Sequence, residues 1–442
     1  MLIQFSVRNF RTFKEKATLS LIASNYDKDR EAENILEDAN FKLRVLKSAV
    51  IYGANASGKS KFMEALLFMR SFAISSSRES QKGDEIEVHP FKLNVETENE
   101  PSEFEVIFTY NNVMYRYGFE ANKEVVVSEW LYYRPKTKEV ELFFRDYQNF
   151  DLHTRNFNKG SIAVKEGLVR DNALLLSLAA QMNDATSIQV LEWFRNLKII
   201  SGLREEGYQG FTMSRTKDPL HKQKILELLK AADLGIQDIK LDMLDIDALP
   251  KDMPKELKER LIKESKEENA EIFSDIITTH KKFNNDRQFV ENINFSMDDD
   301  ESSGTQMFFA LTGPVLNVLE NGFSLVVDEL DSKLHPNLIC KLVSLFNSKE
   351  LNPKDAQLIF NTHDTNLLSS GLFRRDQIWF TEKNKFGEAR IYSLADFKTD
   401  EVRKTEPFEE NYIRGKYGAI PFLDMFEDLI HKNLSLKDEN EK

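Results

Sequence analysis

The chain holds one cysteine, Cys340, in 442 residues. A lone thiol cannot form an internal disulfide and has no partner for a thiolate metal site. Its expected role is that of a small buried hydrophobe on a helix. No apolar run approaches the roughly twenty residues of a membrane-spanning helix. Met1 opens directly into a strand-like segment, so the simplest expectation is a cytoplasmic protein without membrane contact. Neither an internal repeat nor a long low-complexity tract is present. His89, His153, His221, His280, His335 and His431 show no paired ligand spacing, which leaves no histidine-based metal motif. Positive charge is in deficit: 60 Lys and Arg against 73 Asp and Glu give a net charge of −13. That excludes a protein whose whole surface binds nucleic acid, although a local basic groove stays compatible with it. The length suits one large domain with insertions, or two to three lobes.

What is present is a phosphate-binding loop. Gly53-Ala54-Asn55-Ala56-Ser57-Gly58-Lys59-Ser60 fits G-x-x-x-x-G-K-[ST] in full. Ser48 to Tyr52 reads as a short buried strand, and Lys61 to Phe72 as a helix. The loop thus lies where its physics requires, with free N–H groups and the helix dipole aimed at an anion. Gly53, Asn55, Ala56, Ser57, Gly58, Lys59, Ser60 and Lys61 form the candidate nucleotide-binding set. Lys59 is placed to reach β- and γ-phosphates, and Ser60 to ligate Mg²⁺, so ATP and Mg²⁺ are the expected cofactors.

A second constellation lies in the C-terminal half. Phe323 to Val327 is an apolar strand that ends in Asp328-Glu329, the form of a Walker B element. Asp328 would hold Mg²⁺, and Glu329 would polarise the attacking water as general base. Upstream, Glu301-Ser302-Ser303-Gly304-Thr305-Gln306 precedes an apolar helix from Met307 to Leu319, another anion-binding helix start. Downstream, the strand Gln357 to Thr362 ends in His363, placed to contact a γ-phosphate. The acids Asp298 to Glu301 fit a helix N-terminus better than a metal site.

The remaining chain reads in segments. Met1 to Phe13 alternates like a strand with a turn near Asn9-Phe10-Arg11, and 24–47 reads as a loop or irregular hairpin. Glu103 to Phe119 predicts a β-hairpin around Asn111-Asn112, extended by Val125 to Arg134 and Val140 to Arg145. Helical spacing takes over at 168–200 and 217–234, and Lys255 to Asp275 reads as a charged helical arm. The tail after about 432 is expected to fray. The expected division is 1–200, the first part of an ATPase head with a β insertion at about 90–150; 201–290, a helical charged insertion or lid; and 291–442, the rest of the head. The fold class is α/β.

The order of loop, long insertion, Ser302-Ser303-Gly304, Asp328-Glu329, Leu330-Asp331 and a strand ending in His363 resembles the ABC-type P-loop ATPases. Within them it resembles the soluble branch that includes the SMC proteins, RecF and the OLD-type ATPases. Phe5 to Phe13 looks like the opening strand of that branch. The resemblance implies that Ser302 and Gly304 complete a partner subunit's site, that Leu330-Asp331 is the D-loop and that His363 is the switch histidine. It also implies a homodimer, or a higher oligomer built on dimeric units. Two departures from the family stand out: Glu301 replaces an apolar residue, and no Q-loop glutamine can be assigned, Gln81 reading as a surface residue. His89-Pro90-Phe91-Lys92-Leu93, Tyr115 to Phe119, Glu129-Trp130-Leu131 and Arg414 to Pro421 look like the RloA/AbiLi-type bacterial ATP-binding proteins. That likeness implies a phage-defence ATPase controlling a nuclease-like effector. A RecF-like DNA-repair clamp is the alternative, and nucleic acid is left open as a partner.

Overall fold

The computed structural model describes residues 1–243, 273–398, 402 and 406–421. Its centre is a six-stranded sheet in the spatial order Lys198–Ser201, Ser324–Asp328, Gln357–Asn361, Ser48–Gly53, Ile378–Lys383, Ala389–Ser393. The first five strands are parallel and the last is antiparallel. The three middle strands are apolar along nearly their whole length, as a sheet covered on both faces requires. Their side chains alternate between two cores. Ile51, Val326 and Ile359 enter one cluster. Val50, Tyr52, Leu325, Val327, Leu358 and Phe360 enter the other. The two-residue period of the strands thus builds a layered molecule.

The first core lies under a seven-stranded antiparallel sheet. Its order is Asn149–Leu152, Val140–Asp146, Val126–Arg134, Val113–Ala121, Ser102–Tyr110, Leu2–Arg8, Ala17–Ser20. The long helix Lys59–Glu79 runs into this core and buries Phe62, Met63, Leu66, Met69 and Ala73 at helical spacing. Aromatic edges lock it there, with Phe5–Phe62 at 5.2 Å and Phe68–Phe104 at 5.0 Å between ring centres. The predicted hairpin is present: Asn111 and Asn112 both have positive φ, 49° and 60°, as a two-residue turn of this hand demands. The second core is covered by the helices Ser303–Asn321 and Pro336–Asn347. Cys340 sits on the latter and is half-buried rather than buried.

Two segments differ from the sequence expectation. The 168–200 stretch forms two helices, Leu175–Gln181 and Ala185–Asn196, and then the edge strand Lys198–Ser201. Asp184 separates the helices because its carboxylate accepts the Ser187 N–H at 2.8 Å and starts the second one. The expectation of a helical 201–290 is corrected in its later part. Helices Glu206–Thr216 and Pro219–Ala231 are followed by a three-stranded antiparallel sheet of Asp238–Met243, Phe273–Phe283 and Phe289–Ser296. The β-branched run Ile276-Ile277-Thr278-Thr279 drives this, burying Ile276 and Thr278 while Ile277 is only half-buried. The charged arm expected at Lys255 to Asp275 lies mostly outside the described residues, as does the tail after 432. The last residues of that arm, from Phe273, begin a strand.

Candidate nucleotide site

The parallel strands deliver their functional residues to one end of the sheet. Ser48–Gly53 opens into the loop, and the helix Lys59–Glu79 begins directly after Gly58. A Cβ on Gly53 would lie 2.5 Å from Ser57 Oγ and from Thr381 O, so only glycine permits this approach. Ser57 is pinned by a 2.7 Å hydrogen bond between its hydroxyl and that of Thr381. Ala56 has φ 61°, a left-handed conformation that costs energy for an L-residue. Lys59 is buried, and its Nζ donates to Gly53 O at 2.7 Å and to Ala54 O at 3.2 Å. Burial lowers its pKa to about 8, against Glu329, Asp331 and Asp328, whose charges raise it. The charges of those three carboxylates thus act on the loop lysine. Asn55 and Ala56 are exposed at the loop tip. The Lys61 side chain turns elsewhere, to Glu64 at 2.6 Å, which also accepts from Arg11.

At the end of Ser324–Asp328, one side chain organises both acids. Asn361 donates through Nδ2 to Asp328 and accepts the Glu329 N–H at 2.6 Å. Glu329 has φ 59°, a second strained residue at this end of the sheet. The Asp331 carboxylate accepts the His363 N–H at 3.0 Å through Oδ2, while its Oδ1 is buried without a hydrogen-bond partner among the described residues. Burial and the positive charge of Lys59 hold the His363 imidazole below its ordinary pKa, outweighing the acids nearby. A cavity of about 700 Å³ adjoins Gly53, Asn55, Ser57 and His363.

The signature residues stand apart from this group. Ser302 caps the helix Ser303–Asn321, its Oγ accepting the Thr305 N–H at 3.2 Å. Gly304 packs on the turn beyond the acids, where an added Cβ would be 2.7 Å from Lys333 O. Among the described residues no hydrogen bond joins Ser302 to the phosphate loop of its own chain. Glu301 is explained by its partners: its carboxylate accepts from Thr278 Oγ1 at 2.6 Å and meets His280 Nε2 at 2.6 Å. An apolar side chain would remove the shortest hydrogen-bond partner of both groups, leaving the longer contacts of Thr278 Oγ1 with His280 Nε2 at 3.3 Å and Phe295 O at 3.4 Å. Gln81 is exposed just past the end of the long helix. Arg414 and Lys416 pair with Glu410 and Glu406 rather than with the loop. Among the described residues, no group of three or more His, Cys, Asp or Glu side chains could hold a metal by itself, Asp298 to Glu301 included.

Three residues of this site escaped the sequence reading. Asn361 offered a faint signal, a carboxamide ending an apolar strand. Thr381 and Tyr412 offered none, since each reaches the loop from a distant segment.

Fold and site together define a P-loop NTPase of the ABC-ATPase type. The chain belongs to the family described as "AAA domain, putative AbiEii toxin, Type IV TA system", whose model matches residues 48–369. Among curated proteins none matches. Among solved structures, the chain is similar to the SMC head domain from Thermotoga maritima at 12% identity and TM-score 0.40, over 89% of this chain and 98% of that one. It is also similar to an SMC head bound to the C-terminal winged-helix domain of ScpA, at 11% identity and TM-score 0.41, over 89% and 97% of the two chains.

Proposed function

We propose that this protein is an ATP-hydrolysing switch that works as a head-to-head dimer. The observation that carries the reading is the convergence of Lys59, the Asp328-Glu329-Asp331 carboxylates and His363 at one end of the parallel sheet. Lys59 and the loop amides bind the phosphates. The Ser60 hydroxyl and the Asp328 carboxylate, oriented by Asn361, supply hard oxygen donors suited to Mg²⁺, which needs phosphate oxygens and water besides. When bound, the ion would neutralise charge on the phosphates. Glu329 takes the proton from water, and the largely neutral His363 donates toward the γ-phosphate.

Ser302 and Gly304 act on ATP held by the second subunit. In support, their helix start is exposed at Ser302 and makes no hydrogen bond to its own phosphate loop. Mixing Lys59→Ala with Ser302→Arg subunits tests this. A mixed dimer holds one site with both lesions and one with neither, so partial ATPase activity is expected where each variant alone is inactive. A fully active monomer in a mass measurement would overturn the shared site.

The output of the switch is control of a partner effector, nuclease-like, in bacterial phage defence. The RloA/AbiLi-like segments and the toxin–antitoxin wording of the family description support that assignment. The net charge of −13 weighs against the DNA-clamp alternative.

A further inference from the structure

The segment at residues 406–421 lies far from the phosphate loop in sequence but against it in space. Its helix, Phe408–Ile413, places Tyr412 on the strands that flank the loop. The Tyr412 ring stacks on Phe380 at 5.3 Å and lies 5.7 Å from Tyr52, the residue just before Gly53. The Tyr412 hydroxyl donates to Ala419 O at 3.1 Å, and Tyr412 and Gly53 line one cavity. One turn earlier, Glu409 accepts from Thr365 Oγ1 at 3.1 Å and from Ser369 Oγ at 2.6 Å, both in the segment that follows His363. The turn after the helix is fixed as well. Tyr392 Oη donates to Tyr417 O at 2.7 Å, and the Ala419 N–H reaches Glu382 at 3.4 Å. Tyr412, Ile413, Ala419 and Ile420 line the same cavity as Gly53, Asn55 and His363.

We infer that this C-terminal arm is a working part of the nucleotide site: Tyr412 is a positioning residue for the phosphate loop through its ring contact with Tyr52, the residue before Gly53, and Glu409 is a positioning residue for the His363 segment. The inference rests on the ATPase reading above. The two residues act on different components and so leave different kinetic marks. The loop binds phosphate in ground state and transition state alike, so loosening it raises KM. His363 acts as the γ-phosphate reacts, so loosening its segment lowers kcat.

The test is steady-state ATP hydrolysis and ATP affinity of the full chain, with thermal melting, for Tyr412→Phe and Glu409→Gln. Tyr412→Phe keeps the ring and removes only the hydroxyl, whose bond to Ala419 O holds the ring against Tyr52. A loss of one such hydrogen bond predicts about a threefold to tenfold rise in KM with kcat little changed. Glu409→Gln predicts a comparable fall in kcat at unchanged KM. Melting points close to that of the wild type are expected for both. Unchanged kinetics in both variants, or activity falling only in step with the folded fraction, would overturn the inference. If the wild type itself neither binds nor hydrolyses ATP, it is the ATPase reading that fails, so the two failures are told apart.

Discussion

The antiparallel sheet and the parallel sheet handle buried charge in opposite ways. In the antiparallel sheet, Arg145 and Glu129 are fully buried 3.7 Å apart. Arg145 donates to the carbonyls of Tyr147, Ala173, Arg170 and Asp171. Glu129 accepts from the Leu175 and Leu176 N–H groups and from Tyr117 Oη. Each charge is answered from inside the protein, and the pair ties the outer strands to the helix Leu175–Gln181. At the end of the parallel sheet, the hydrogen bonds of Lys59 among the described residues go to two loop carbonyls, the charges of three carboxylates act on it, and Asp331 Oδ1 is buried with no hydrogen-bond partner among those residues. Ala56 and Glu329 also lie there, both at positive φ. The difference teaches that a polar group completed internally secures a lobe, whereas a polar group left incomplete is poised for a ligand.

Breaking the comparison from the catalytic side gives the largest effect. Glu329→Gln keeps shape and loses the proton acceptor, so kcat is expected to fall by about 10²–10⁴ while ATP still binds. Phosphate release in a clean preparation measures it, and near-normal turnover would assign the role to another group. On the structural side, Arg145→Ala leaves the buried Glu129 carboxylate without its counter-charge and takes the guanidinium donors from the carbonyls of Tyr147 and Ala173, while those of Arg170 and Asp171 keep backbone donors. A loss of about 3–5 kcal/mol is expected, read from the denaturant midpoint. A shift under about 1 kcal/mol would mean that Glu129 protonates at little cost.

Lys59 sharpens the contrast at smaller scale. Lys59→Ala removes charge-assisted phosphate bonds, predicting about a 10- to 100-fold weaker ATP affinity by titration, with a melting point near the wild type. Its lowered pKa also fixes a pH dependence. From about 8, where the native lysine gives up its proton, to 10.5, where the unfolded one does, the unfolded chain binds more protons, so this group's contribution to stability rises with pH. ATP affinity moves the other way, since the neutral amine no longer attracts phosphate. From pH ~7 to ~9 a loss of about tenfold is expected in wild type and none attributable to this position in Lys59→Arg. A wild-type affinity that is flat over that range would show the lysine stays charged.

The phosphate loop, the strand that leads into Asp328-Glu329, the strand that leads toward His363 and the hairpin at Asn111-Asn112 could all be read from the chain alone. These are local patterns: a glycine spacing, an apolar run with acids at its end, a turn pair with the right handedness. They are legible because neighbours in the chain supply the physics. Only the tertiary structure decided which distant residues serve them. Asn361 bridges Asp328 and Glu329, Thr381 backs Ser57, and Tyr412 packs on Tyr52 beside Gly53. It also decided that Glu301 answers His280, and that Phe273–Phe283 pairs as a strand beside a charged stretch that read as helix. Such pairings depend on which strands become neighbours in the sheet, and no local spacing in the chain encodes that order.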